Sequence, residues 1–82
     1  MITREKVKII FSEIATGTTL TVRQIQNLVQ KQCPPIPADL EPYVKTRNTK
    51  YPVWHHVIQC VLYEYKIKGV VIHNPASQSY TF

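Results

Sequence analysis

The sequence predicts an α+β domain in which three helices are followed by a two-stranded hairpin, with one further short strand between the first two helices. Three observations carry that prediction. Apolar residues recur at helical spacing in two stretches before residue 33 and in one after residue 52. Gly17 and Gly69 stand where the first and last of these stretches stop. The chain then finishes on two β-rich runs, Val70-Val71-Ile72 and Ser79-Tyr80-Thr81-Phe82.

The first helix is expected over residues 3–16. Thr3 is a good N-cap, and Ile2 and Val7 are spaced as a hydrophobic staple. Val7, Ile10, Phe11 and Ile14 form one stripe, and Gly17 supplies the left-handed residue that ends many helices. Thr18-Thr19-Leu20 suits a short edge strand. Thr21 and Gln24 then read as a capping box opening a second helix, with Ile25, Leu28 and Val29 on its inner face as far as about Gln32. Arg23, Gln24, Gln26, Asn27, Gln30 and Lys31 lie on its outer face.

From Cys33 to Pro52 the periodicity stops. Five of the six prolines fall here, and proline lacks the donor that a helix interior or central strand needs. One helical turn is expected around Pro37 to Glu41, and the stretch after it, Lys45-Thr46-Arg47-Asn48-Thr49-Lys50, is basic and polar without an acid. Pro52 to Lys68 is the strongest helix signal. Pro52 suits the first turn, and Trp54, Val57, Ile58, Val61, Leu62 and Tyr65 make an unbroken inner face. Gly69 ends it, and His73 to Gln78 joins the two final strands.

Composition removes several functions. Two glycines 52 residues apart leave no place for a P-loop or a dinucleotide fingerprint, both of which need clustered glycines around phosphate. No apolar run exceeds the four residues from Cys60 to Tyr63, so no membrane span is expected. Met-Ile-Thr-Arg-Glu-Lys does not read as a secretory leader, and two cysteines are too few for a disulfide scaffold. A cytoplasmic, single-domain protein is expected over residues 1–82. Ten Lys and Arg against five Asp and Glu leave a formal charge of +5, which calls for an anionic partner.

Helix, strand, helix, loop, helix and hairpin is the order of a winged helix-turn-helix. The stretch from Pro52 to Gly69 resembles the third helix of the winged-helix domains at the front of Mrr-type restriction endonucleases. Those helices run Pro-x-Trp, then an apolar residue, a Leu, and a Gly with apolar residues opening the wing. Pro52, Trp54, Ile58, Leu62, Gly69, Val70 and Val71 stand in those places, and Tyr80 stands where a wing aromatic is common. Gln59 departs from a frequent Arg, and the wing lacks basic residues. The resemblance implies a targeting module for a restriction or other DNA-processing enzyme, with any nuclease activity in another segment.

The charge is placed to match. No acid occurs between Glu41 and Glu64, while Lys45, Arg47 and Lys50 fall in that window and lead into the third helix. In winged helices that helix usually enters the major groove while neighbouring segments meet phosphates. The DNA-binding candidates are therefore Lys45, Arg47, Asn48 and Lys50 in the loop, Tyr51 before the helix, His55, His56, Gln59 and Tyr63 on its outer face, and Arg23 on the second helix. Gln pairs bidentately with adenine, and His and Tyr donate to phosphates or base edges. Four to six phosphate contacts, counting Lys31 and Lys66 or Lys68, predict a salt slope of about −4 to −5. Trp54 belongs to the core stripe, and Tyr51 is the better candidate for an exposed aromatic, with a packing role weighed equally.

Other chemistries are disfavoured. His55, His56, Cys60, Cys33 and His73 contain one ligand spacing, His56 and Cys60, but no completed metal set, so no metal or other cofactor is expected. Asp39 with Glu64-Tyr65-Lys66 loosely resembles a nuclease pattern, yet Glu64 and Lys66 lie about 200° apart around a helix. The partner expected is double-stranded DNA, with a catalytic domain in cis or a second copy of the chain beside it. Two alternatives stand: a dimeric winged-helix transcriptional regulator, and a winged helix that binds protein. The latter needs an exposed apolar patch, and the apolar residues are nearly all assigned to core stripes.

Overall fold

Both N-terminal caps form as their residues dictate. In the computed structural model, which describes residues 1–43 and 51–82, Thr3 is extended and its hydroxyl accepts from the Lys6 amide at 3.3 Å. The Thr21 hydroxyl accepts from the Gln24 amide at 3.1 Å while the Gln24 side chain accepts from the Thr21 amide at 2.9 Å. Helix α1 runs Arg4–Ser12, strand β1 Thr19–Thr21, helix α2 Val22–Gln32 and helix α3 Val53–Ile67; β2 is Ile72–Asn74 and β3 is Ser79–Thr81. A 3-10 turn, Pro37–Leu40, falls where a helical turn was expected. The described residues thus form an α+β arrangement of three helices and a small antiparallel sheet.

The helices bury one stripe each. Ile2, Val7, Ile10 and Phe11, then Ile25 and Val29, then Trp54, Ile58, Val61 and Leu62 form a single core in which none is more than 5% exposed. Full burial of such a side chain contributes about 1.5–3 kcal/mol, so this core carries most of the stability. Phe11 sits edge-on to Tyr65 at 5.8 Å and to Phe82 at 5.1 Å, joining α1 to α3 and to the chain end. Lys8 and Glu64 add an ion pair between the same two helices at 2.9 Å.

Several boundaries differ from expectation, two of them because backbone groups are used elsewhere. Helix α1 ends at Ser12 rather than near residue 16: the Glu13 and Ile14 amides donate to carbonyls three residues back, and the Ser12 hydroxyl takes the Ile9 carbonyl at 2.6 Å. Gly17 therefore does not cap the helix. With φ of +89° it forms the third residue of a turn closed by Thr18 N–H to the Ala15 carbonyl, and its own N–H donates to Phe82. At the other end Gly69, φ +75°, does cap α3. The Gly69 amide donates to Lys66 and the Val70 amide to Tyr65, the paired bonds of a Schellman motif. That geometry takes up the amides of Val70 and Val71, so β2 starts at Ile72 and includes His73 and Asn74, which were expected in the connecting loop. Pro52 is the N-cap of α3 rather than part of its first turn.

The sheet order is β1-β3-β2, all antiparallel, with Leu20 opposite Tyr80 and His73 opposite Tyr80 on its other side. Pro75 to Gln78 connects β2 to β3, and Gln78 is left-handed with φ of 52°. The Gln78 carbonyl accepts from the Val22 amide at 2.9 Å, so the hairpin tip is fixed to the first residue of α2. No helix among the described residues is long and apolar enough to cross a membrane.

Candidate nucleic-acid interface

The outward side of α3 divides into two parts. Along one, Gln59, Tyr63 and Lys66 recur at spacings of four and three, which aligns them on one face. All three are exposed, Tyr63 to 64%. They form one wall of a groove of about 390 Å3 whose other walls are His73, Tyr80, Gln78 and Val22, over a floor that includes Leu62. His73 stacks on Tyr80 with ring centroids 4.6 Å apart and planes 18° apart. Burial pushes the Tyr80 phenol above its ordinary value.

The other part is the N-terminal half of α3, and here two expected groove-facing residues are otherwise engaged. His56 stacks face to face on Tyr43 at 3.7 Å, and its ring nitrogens meet the Tyr51 hydroxyl at 3.3 Å and the Cys60 sulfur at 3.2 Å. The expected ligand spacing of His56 and Cys60 therefore appears as a hydrogen bond between the two. His55 is half-buried and edge-on to Trp54 at 4.2 Å, and burial lowers its pKa. Tyr51, weighed equally as an exposed or a packing aromatic, is half-buried in the same cluster; Trp54 is in the core as expected.

This cluster lies at a closure of the chain. The Tyr43 amide donates to the Tyr51 carbonyl and the Val53 amide to the Glu41 carbonyl, each at 2.9 Å, around a bridge between Pro42 and Pro52. Lys45, Arg47, Asn48 and Lys50 belong to 44–50, outside the described residues, but the two residues that bracket them stand side by side at the first turn of α3. Arg23 is exposed in the first turn of α2, next to Val22 of the groove wall.

No family model, curated protein or solved structure matches the chain. The loose nuclease pattern does not assemble: Asp39 is fully buried with its oxygens held by backbone amides, and Glu64 pairs with Lys8 and, at 3.6 Å, with Lys68. Among the described residues no three His, Cys, Asp or Glu side chains gather where they could hold a metal ion.

Sequence reasoning placed Gln59 and Tyr63 on the outer face but did not join them to His73, Tyr80 and Gln78. The two-residue displacement of β2 brings His73 opposite Tyr80, and its signal was the Schellman geometry that Gly69 followed by two valines permits. Apolar exposure also exceeds expectation: Ile67, Val70 and Ile72 are each more than half exposed, while Val71 between the last two is buried.

Proposed function

We propose that the chain is a winged-helix DNA-binding module that directs a restriction or other DNA-processing enzyme to duplex DNA, acting in the cytoplasm and contributing no catalytic group of its own. The element order and the β1-β3-β2 sheet support the winged-helix reading, with β2 and β3 as the wing. The observation that carries the DNA reading is the meeting of two features at α3. Its outward face presents Gln59, Tyr63 and Lys66 without an acid, and the acid-free segment holding Lys45, Arg47 and Lys50 is bracketed at its first turn.

On this reading α3 lies in the major groove, where Gln59 pairs with an adenine edge and Tyr63 donates to a base or phosphate. Lys45, Arg47, Lys50 and Arg23 supply phosphate contacts, which give affinity without sequence information. His55 and His56 act by packing the start of α3 against Trp54 and Tyr43 rather than by touching bases. Titration of fluorescent duplex DNA, methylated and unmethylated, is expected to give binding that weakens with salt at a slope of about −4 to −5. No binding at about 50 mM salt overturns the proposal.

A second reading, a winged helix that meets protein, draws on the exposed Ile67, Val70 and Ile72. It predicts that replacing these three by polar residues abolishes partner capture while leaving DNA titrations as they were. A third, the dimeric regulator, predicts half-sites spaced about 34–36 Å apart.

A further inference from the structure

The groove between α3 and the hairpin holds more ring surface than a duplex can use. A base pair within a duplex presents its edge to a groove-lining helix, because neighbouring pairs cover both of its faces. Yet Tyr63, His73 and Tyr80 all line this concavity, and none of its lining residues is acidic. Stacking on aromatic rings is the sequence-tolerant way that proteins hold bases freed from a duplex. The remaining chemistry completes a nucleotide site. Gln59 offers an amide with both donor and acceptor, and Lys66, which has no acid partner among the described residues, offers a cation for phosphate.

The groove is also held ready. Leu62 anchors the floor in the core, the His73–Tyr80 pair belongs to a hydrogen-bonded sheet, and the Gln78 carbonyl is tied to the Val22 amide at 2.9 Å. A volume of about 390 Å3 lies within the range of small-ligand sites, roughly 300–1,000 Å3. We propose that this groove takes a single nucleotide whose base has left the duplex stack, with the ring against Tyr63 and the His73–Tyr80 pair, the base edge on Gln59 and the phosphate at Lys66. The nucleotide comes from a single strand or is extruded from a duplex. The proposal rests on the DNA-binding reading and narrows its target.

The test compares three labelled probes with the full chain by fluorescence anisotropy: an intact duplex, the same duplex with one bulged 2-aminopurine, and the corresponding single strand. At least one unpaired probe is expected to bind about tenfold tighter than the intact duplex, with a change in 2-aminopurine emission when the bulge is bound. The bulged probe leading identifies an extruded base, and the single strand leading identifies single-stranded substrate. Tyr63→Ala is expected to bring the ratio of affinities close to one, and Tyr63→Phe, which keeps the ring face, to restore it. Tyr63 is exposed, and a thermal melt verifies that both variants fold. Salt-dependent binding to the intact duplex with no preference for unpaired probes overturns the nucleotide site and leaves the DNA-binding reading standing. A preference that survives Tyr63→Ala also overturns the site. Failure to bind any probe overturns both.

Discussion

Asp39 clasps the backbone amide of Ile2 with both carboxylate oxygens, at 3.1 and 3.2 Å, across 37 residues of chain. One of those oxygens also accepts from the Ile36 amide at 3.0 Å, and the side chain is fully buried. A carboxylate so placed ties the start of α1 to the 3-10 turn and satisfies amides that the core would otherwise strand.

Replacing Asp39 by Ala leaves the two amide donors, those of Ile2 and Ile36, buried without acceptors. Hydrogen bonds to charged groups contribute about 1.5–3 kcal/mol each, so a loss of about 3 kcal/mol or more is expected in urea unfolding. Asp39→Asn is expected to recover less than half of it, since its NH2 group would face a backbone donor. Equal stability of the Ala variant and the parent would refute the clasp.

His55 makes stability fall in mild acid. Burial lowers its folded pKa below the ordinary 6.5, so the unfolded chain binds a proton first. Its share of stability is complete above about pH 6.5 and is lost as pH falls toward the lowered folded value. The slope of unfolding free energy against pH below 6.5 is expected to flatten in His55→Gln, as read by urea melts across that window.

Glu64 acts lower on the pH scale. The hydrogen bond from Lys8 holds its carboxyl below the ordinary 4.5, with Lys68 adding to the effect. Its contribution is present above pH 4.5 and disappears as pH falls through the lowered folded value. Lys8, raised above 10.5 chiefly by the same hydrogen bond, contributes below that value and ceases to as pH rises through its folded pKa. Glu64→Gln should weaken both dependences, and added salt should mimic it in part because both side chains are half-exposed.

Arg47 and Lys50 are expected to act through phosphates. Their joint replacement by Ala should reduce the salt slope of duplex binding by about 2 and weaken all sequences alike. An unchanged slope removes the segment from the interface. Gln59→Ala should instead relax preference at one base position, by about 1–3 kcal/mol.

Much of the architecture was legible where one local rule acts alone. Thr3, the Thr21–Gln24 box and the stripe from Trp54 to Tyr65 need only neighbours within a few turns, and each appears where its spacing puts it. Legibility stopped where distant backbone groups compete. The Gly17 amide meets Phe82, which draws Gly17 into a turn toward the sheet, and the cap at Gly69 moves β2 along the chain. The candidate surface followed the same division. Gln59 and Tyr63 follow from helical spacing, whereas the stacking of His56 on Tyr43 depends on the backbone pairing of Tyr43 with Tyr51, which spacing does not encode.

The paired backbone at Tyr43 and Tyr51 makes the entry to α3 independent of any one side chain. The Tyr51 carbonyl holds the Tyr43 amide and the Glu41 carbonyl holds the Val53 amide, so the approach to the helix is fixed by main-chain bonds that every residue type except proline can make. Side chains at this entry are therefore open to exchange while α3 and its core keep their packing.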